Sequence, residues 1–180
     1  MTGEVARECV ITSNDLSGLA RRDIDAGLHC VTTWSHLGLR WSGVGFKDIY
    51  EQLIVPRAEP AARATRVVFK GADGYWASLA LEDCLADDVL VADRLDGEPL
   101  TTNHGAPLRL VAPAHYGYKN VKHLRGFELR SSFRPGPGLL EHPRARVALE
   151  ERGRRFPPRV LRILYRPFVA PVAWWHRRRA

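Results

Sequence analysis

Short apolar runs separated by turn residues dominate residues 28–132 of the chain. Runs rich in β-branched and aromatic residues predict strands at residues 66–70, 75–79, 89–95 and 108–111, with a fifth at the end of 121–129. The sequence shows no βαβ alternation, no GxGxxG and no GK[ST] phosphate loop, which disfavours a Rossmann or P-loop fold. The pattern therefore predicts an α+β or mostly-β fold of short mixed strands with brief helices.

Helical spacing of apolar side chains is limited to two short segments. One helix is predicted over residues 47–54, with Pro56 and Pro60 ending it. A second helix is expected to begin within residues 78–85, where two acidic residues would lie in its first turn. Asp96-Gly97 is a strong turn signal between apolar segments. The predicted helices are thus connectors between strands rather than the framework of the fold.

Composition and charge divide the chain into a core domain and a basic tail. Hydrophobic residues make up 45% of the 180 residues, and the net charge is +7, with most of the surplus arginine after residue 133. No run of 18 apolar residues predicts a membrane helix. The N-terminal segment MTGEVARECVITSND has no signal-peptide pattern, so a cytoplasmic location is expected.

The three cysteines are too few and too scattered for a disulfide framework, and none forms a CxxC pair typical of a zinc site. Cys84 lies on an apolar helix face beside Leu81 and Leu85, so we expect it in the core. Cys9 belongs to no motif. Cys30 lies in an apolar stretch, and its local sequence leaves open whether it packs in the core or has a chemical role.

The segment around Cys30, HCVTTWSHLGLRWSGV, resembles the molybdopterin-binding domain of the sulfite-oxidase superfamily. In that family a cysteine in a segment of the form CVxxWS supplies a thiolate to molybdenum, and a W-x-G-V segment follows. Cys30 and Trp34 match the first segment, and Trp41 and Val44 match the second. Because thiolate is a soft, strongly donating ligand, it suits such a metal. The resemblance implies that Cys30 is the metal ligand.

A second block, DGEPLTTNHGAPLRLVAPAHYGYKNVKHLRGFEL, resembles the family's pterin- and phosphate-binding segment. Molybdopterin has a phosphate and a polar pterin, so cationic side chains and backbone amides suit it. The resemblance implies a set of cofactor-binding residues, namely His104, Arg109, Lys119, Asn120, Val121 and Lys122. Asn120-Val121 would present backbone amides as an anion cradle. Tyr116 and Tyr118 would border the substrate, although packing against the wall of the site explains them equally well.

The resemblance covers residues 24–133, which implies a sulfite-oxidase-like molybdopterin-binding fold in domain 1–133 and an extension at 134–180. Three family features are not found: an N-terminal Arg-Asn-His-like stretch, a Ser or Thr where Gly71 stands, and a haem or immunoglobulin-like domain. The chain therefore resembles a compact bacterial relative. Its electrons would pass to a separate partner.

These features imply a molybdenum-dependent oxidoreductase that performs two-electron oxo transfer on a small oxyanion, a sulfoxide or a similar small molecule. An alternative is a scaffold that has lost the metal and acts as a cofactor-independent enzyme or a small-molecule binder. A nucleic-acid- or membrane-binding protein would leave the central motifs unexplained, so no nucleic acid partner is expected. The segment from Arg159 to Arg179 mixes tryptophan and arginine, so we expect it to wrap the core or dock on an acidic partner or membrane surface.

Overall fold

The computed structural model describes residues 1–30 and 34–134, together with Val147. The predicted C-terminal extension, including the segment from Arg159 to Arg179, therefore lies outside the described residues apart from Arg134 and Val147. The described part is an α+β fold of mixed sheets with few short helices, as the sequence predicts. None of its helices has the length and apolar character needed to cross a membrane.

Strands account for most of the regular structure in these ranges. The strands are β1 (Thr2–Gly3), β2 (Arg21–Asp25), β3 (Leu28–His29), β4 (Ser35–His36), β5 (Arg40–Gly45), β6 (Arg66–Gly71), β7 (Trp76–Ala80), β8 (Leu90–Leu95), β9 (Glu98–Pro99), β10 (Arg109–Val111) and β11 (Leu124–Arg130). The helices are α1 (Ser13–Ser17), α2 (Phe46–Ile49), α3 (Val55–Ala58) and α4 (Leu81–Cys84). A π-helical segment, Tyr50–Ile54, connects α2 to α3, and 3₁₀ turns occur at Thr102–His104 and Gly117–Lys119.

The strands form two larger sheets and one small hairpin. The first sheet has the order β1-β11-β6-β7 and is antiparallel except for the β1-β11 pair. The second has the order β10-β8-β5-β2, with β9 paired to β8, and is antiparallel throughout. Strands β3 and β4 pair separately. Strands β5 and β8 are consequently the central strands of the second sheet.

Two apolar clusters form the core. In the larger one, Phe46 contacts Phe69 and Phe127 edge-on, with ring centroids 5.1 and 5.6 Å apart. The smaller one surrounds Trp41, which is fully buried in β5. Trp41 also donates a hydrogen bond from Nε1 to the carbonyl oxygen of Ala26, over 3.1 Å. This bond ties the chain just before β3 to the second sheet.

Strands β2 and β5 were not predicted from the sequence. Strand β5 contains Gly43, and a Cβ atom there would lie 2.2 Å from the carbonyl oxygen of Val91 in β8. A glycine at this position lets the two central strands approach closely. Because glycine is rare within strands, it also makes β5 harder to predict from the sequence. Strand β2 has the sequence RRDID and pairs only with β5 among the described strands, at the margin of the sheet. Because β2 is mostly polar, the pattern of hydrophobic residues does not predict it.

The helix predicted over residues 47–54 forms, but Pro56 does not end it. The helical segment continues through α3 to Ala58, and Glu59 ends it with a φ of 50°. Pro56 lies in the first turn of α3, directly after the π-helical segment, where a missing N–H donor costs little. The turn predicted at Asp96-Gly97 is confirmed, since both residues have positive φ and join β8 to β9.

Candidate cofactor site

Cys30 directly follows β3 and is half-buried. Its backbone N–H donates to the carbonyl oxygen of Trp34 over 2.8 Å, across residues 31–33, which are not described. One residue earlier, Nδ1 of His29 lies 2.8 Å from Oγ of Ser35 on the paired strand. These bonds join β3 and Cys30 to Trp34 and β4. Cys30 is therefore held in place by the small β3-β4 pair of strands.

Gly117, which separates the two predicted substrate-bordering tyrosines in sequence, lies against β3, the strand that Cys30 follows. A Cβ atom at Gly117 would lie 3.4 Å from the carbonyl oxygen of His29, the residue before Cys30. The rings of Tyr116 and Tyr118 stack with centroids 6.4 Å apart and planes 11° from parallel. Tyr75 donates from its hydroxyl group to the carbonyl oxygen of Tyr118 over 2.6 Å. The structure thus brings Cys30 and the tyrosine segment together.

Arg109 is a cation buried without a carboxylate partner in the described part of the chain. Its side chain extends from β10 and is only 3% exposed. One Nη atom donates to the carbonyl oxygen of His104 over 3.0 Å, while Nε has no hydrogen-bond partner among the described residues. Burial lowers the pKa of Arg109 to about 10. A buried positive charge in this situation creates a position where an anion would be stabilised.

Lys122 contributes a second cation to the same region. Its pKa is lowered by burial and by the positive charge of Arg109, while the carboxylate of Asp73 opposes the shift. Its Nζ atom donates to the carbonyl oxygen of Asn103. A Cβ atom at Gly105 would come within 2.8 to 3.0 Å of Lys122 atoms, so the turn before Gly105 packs closely on this lysine. Arg109 and Lys122 therefore repel one another in the absence of an anion.

His104 lies in the same 3₁₀ turn but is exposed. Its Nδ1 atom is 3.0 Å from the Thr101 hydroxyl oxygen. This contact orients the imidazole at the edge of the region that contains Arg109 and Lys122. The predicted set of His104, Arg109 and Lys122 is consequently brought together, by a turn, by β10 and by the segment leading into β11.

Lys119 has a different environment from the one predicted. It is fully buried, and its Nζ donates to the carbonyl oxygen of Ser78 over 2.9 Å. The same atom lies 5.5 Å from the centroid of the Tyr118 ring and 5.7 Å from that of Phe133. Lys119 thereby joins the tyrosine segment to β7. Its described contacts are with protein groups and not with a surface open to a phosphate.

The predicted anion cradle at Asn120-Val121 does not form, because both backbone amides are already used. The amide of Asn120 donates to the carbonyl oxygen of Gly117 over 3.0 Å, and that of Val121 donates to Lys119 over 3.1 Å. The 3₁₀ turn that ends at Lys119 takes up these donors. The side chain of Val121 lies in the core. This part of the prediction is wrong for a local geometric reason.

Two functional relationships were missed by the sequence analysis. Trp41 was assigned only to a motif, yet its ring lies 4.7 Å from the guanidinium carbon of Arg109. His115 was not singled out, yet it is 2% exposed and its Nε2 lies 3.4 Å from Oδ2 of Asp83 in α4. Neither pairing has a signal in the sequence, because the partners are far apart in the chain and belong to different elements.

The other two cysteines do not compete with Cys30 for a chemical role. Cys84 is fully buried, as predicted, and burial raises the pKa of its thiol, which makes it unreactive. Cys9 packs beside the larger core cluster. All three are thiols. Among the described residues, no group of three or more His, Cys, Asp or Glu side chains is arranged to hold a metal ion.

The sequence matches a protein-family model and several known proteins. The sequence model of the oxidoreductase molybdopterin-binding domain family matches residues 1–137. The chain is 36% identical over 134 residues to the uncharacterized oxidoreductase YuiH of Bacillus subtilis, covering 74% of this chain and 65% of YuiH. It is 31% identical over 122 residues to the protein-methionine-sulfoxide reductase catalytic subunit MsrP of Xanthomonas campestris, covering 59% and 36% respectively. The chain thus spans about one to two thirds of these relatives.

A solved structure supports the fold. The sulfane dehydrogenase SoxCD of Paracoccus pantotrophus superposes with a TM-score of 0.62 at 23% identity, over 73% of this chain and 37% of that chain. At this identity the likeness shows the fold alone, which is the sulfite-oxidase-like fold predicted from the motifs. The family match, rather than the fold, identifies molybdopterin as the cofactor of this domain. The chain belongs to the oxidoreductase molybdopterin-binding domain family of the sulfite-oxidase superfamily.

Proposed function

We propose that this chain is the cofactor-binding domain of a molybdenum-dependent oxidoreductase that performs two-electron oxo transfer on a small oxyanion or sulfoxide. The observation that carries the proposal is Arg109, a buried guanidinium with no carboxylate beside it in the described residues and with an unsatisfied Nε. A bound anion that pairs with such a charge offsets the free-energy cost of burying it. The phosphate of molybdopterin supplies such an anion.

The residues present fit the cofactor at three points. Arg109 and Lys122 form a pair of like charges that a phosphate would neutralise. His104 lies at the edge of the same region, beside the turn that packs on Lys122. Cys30 offers a half-buried thiol directly after β3, and thiolate suits a high-valent metal. These three contributions match an anionic cofactor that carries a soft-ligand metal.

Each group in the site has a separate task. When bound, the cofactor supplies a metal that cycles between oxidation states two electrons apart. Cys30 would hold the metal through its thiolate, while Arg109 and Lys122 would bind the phosphate and His104 the pterin. Tyr116 and Tyr118, which stack on one another and flank Gly117 next to β3, would border the substrate and orient its polar oxygen through their hydroxyl groups. Burial of Arg109 strengthens its electrostatic contacts, because water does not screen a group that is only 3% exposed.

The substrate class rests on the relatives. The relative from Xanthomonas campestris is named a protein-methionine-sulfoxide reductase catalytic subunit. The S=O group of a sulfoxide is a substrate of the class predicted from the sequence, because oxo transfer can remove its oxygen. A catalytic subunit implies a second component, so we propose that electrons reach this domain from a separate electron-transfer protein. A cytoplasmic location, and docking of the C-terminal extension on an acidic partner or membrane surface, are further proposals. The extension itself lies outside the described residues.

Elemental analysis is the direct test. The chain would be produced in a host that makes the cofactor and has ample molybdenum, and the metal content would be measured against protein. We expect close to one molybdenum per chain, together with reduction of methionine sulfoxide by dithionite-reduced benzyl viologen. Cys30→Ser should abolish both signals. Cys9→Ser is the matched control, because Cys9 is also a half-buried thiol but belongs to no site.

Two results would reject the proposal. One is folded protein without molybdenum from a host in which another molybdenum enzyme is fully loaded. The other is activity that persists in Cys30→Ser protein without metal, which would favour the metal-free scaffold. Sulfite oxidation with ferricyanide, and nitrate reduction, would be measured in parallel. Activity on an oxyanion but not on the sulfoxide would keep the reaction class and change only the substrate.

A further inference from the structure

Asn120 is buried, 4% exposed, and its side chain makes three bonds to the backbone of one loop. Oδ1 accepts from the amide of Ala112 over 2.6 Å. Nδ2 donates to the carbonyl oxygens of His115 and Tyr116 over 3.4 and 3.1 Å. The amide therefore connects the residue that follows β10 with the middle of the loop. A side chain engaged in this way is not available to the cofactor, although the motif suggested that role.

We propose that Asn120 is a positioning residue that holds Tyr116 and Gly117 against β3, the strand that Cys30 follows. The loop between Ala112 and Asn120 carries both stacked tyrosines, and its residue Gly117 lies against the carbonyl oxygen of His29. Asn120 fixes this loop from within, at the residue immediately before Gly117. The relationship to catalysis rests on the proposed function, whereas the effect on the loop does not.

The chemistry of the three bonds requires an amide side chain. The Ala112 amide needs an acceptor, and the two carbonyl oxygens need donors, so one group must be both. Aspartate provides the acceptor but, when ionised, offers no donor and places a negative charge beside two carbonyl oxygens. Alanine provides neither function. Comparison of the two substitutions therefore separates the effect of the bond from the Ala112 amide from the effect of the bonds to the His115 and Tyr116 carbonyl oxygens.

The loop is held from outside at other points, which makes the contribution of Asn120 measurable. Tyr75 bonds the carbonyl oxygen of Tyr118, and Lys119 bonds that of Ser78. Both contacts involve residues that follow Gly117 in the sequence, whereas Tyr116 precedes it. Loss of Asn120 should consequently loosen the Ala112–Tyr116 part of the loop while the Tyr118–Lys119 part stays attached to β7.

Amide hydrogen exchange of the apoprotein tests the first step. In Asn120→Ala, the amide of Ala112 and that of His115, which donates to the carbonyl oxygen of Ala112, should exchange at least tenfold faster than in the wild type. In Asn120→Asp, Ala112 should stay protected while His115 exchanges faster. Val67→Ala, a buried truncation in β6, is the control for general destabilisation. Unchanged exchange in Asn120→Ala, or the same pattern in the control, would overturn the proposal.

Kinetics of the loaded protein test the second step. Asn120→Ala should retain its molybdenum, because Cys30, Arg109 and Lys122 are unchanged, yet kcat/KM for methionine sulfoxide should fall roughly tenfold or more. Val67→Ala should keep kcat/KM near the wild-type value. Full activity in loaded Asn120→Ala protein would refute the positioning role. If wild-type protein holds no molybdenum, the proposed function fails, and the exchange experiment still decides whether Asn120 holds the loop.

Discussion

The guanidinium group of Arg109 lies over the indole ring of Trp41, with its central carbon 4.7 Å from the ring centroid. The two residues belong to β10 and β5, which are separated in the sheet by β8. Trp41 is fully buried and fixed by its hydrogen bond to Ala26. A cation over a desolvated aromatic face gains about 2 kcal/mol, which offsets part of the cost of burying the charge. The ring thus supports Arg109 without neutralising it.

Replacing Arg109 by methionine should separate cofactor binding from stability. Arg109→Met removes a buried charge that has no carboxylate partner in the described residues, so we expect the apoprotein to be as stable as the wild type or about 1 kcal/mol more stable. Molybdenum content should nevertheless fall at least tenfold. Urea unfolding of the apoprotein and elemental analysis of the loaded protein give the two values.

The control for this substitution is Arg63→Met. Arg63 is exposed and pairs with Glu4 at the surface, so its loss should change neither property by a measurable amount. A large loss of apoprotein stability in Arg109→Met, with molybdenum content maintained, would contradict the assignment of Arg109 as the anion-binding residue.

Inorganic phosphate should stabilise the apoprotein at neutral pH. Binding of an anion favours the charged forms of Arg109 and Lys122, both of whose pKa values are lowered in its absence. The stabilisation should therefore be greatest near pH 7 and should diminish as pH approaches 10, the lowered pKa of Arg109. Lys122, whose pKa is also lowered, should add to this loss. Thermal unfolding with phosphate, compared with sodium chloride at equal ionic strength, measures the effect.

Substitution of the two cations tests whether the stabilisation by phosphate arises from binding at Arg109 and Lys122. The phosphate-dependent rise in Tm should disappear in Arg109→Met and decrease in Lys122→Met. Arg63→Met should keep it. An equal rise in all four proteins would show that phosphate acts on the surface in general rather than at the two cations.

The thiols should react in an order set by burial. Cys30 and Cys9 are half-buried, whereas Cys84 is fully buried and its pKa is raised by that burial. Iodoacetamide should therefore label Cys30 and Cys9 in the folded apoprotein and label Cys84 only after unfolding. Loading with cofactor should protect Cys30 alone. Peptide mass spectrometry follows each site, and equal labelling of Cys30 with and without bound molybdenum would argue against its role as ligand.

Glu128 should stabilise the first sheet in a pH-dependent manner. Burial raises the pKa of this carboxyl, but the hydrogen bond from Lys70 and the charges of Lys70, Arg130 and Arg134 outweigh burial and hold the pKa below its usual value. The stabilisation should be complete above the unfolded-state value of 4.5 and should be lost as pH falls through the lower folded-state pKa. Urea midpoints of wild type and Glu128→Gln should differ at pH 7 and converge as pH falls below the folded-state pKa of Glu128.

The sequence determined the family, the cofactor and the local turns. The segments around Cys30 and Arg109 are long enough to identify the fold, and the Asp96-Gly97 turn forms because its residues accept positive φ. The strand at residues 66–70 was also predictable, since its β-branched and aromatic side chains are buried in the core. Such features depend on residues that are neighbours in the chain. Local chemistry is therefore sufficient to predict them.

The tertiary structure alone decided which polar residues are buried and what they contact. From the motif, Arg109, Lys119 and Asn120 were all expected to bind the cofactor. Of these three, only Arg109 has a buried side-chain nitrogen without a hydrogen-bond partner among the described residues. Lys119 is occupied by the carbonyl oxygen of Ser78 on β7, and Asn120 by the backbone of its own loop. Burial and pairing depend on strands that meet from distant parts of the chain, so no local pattern of residues specifies them.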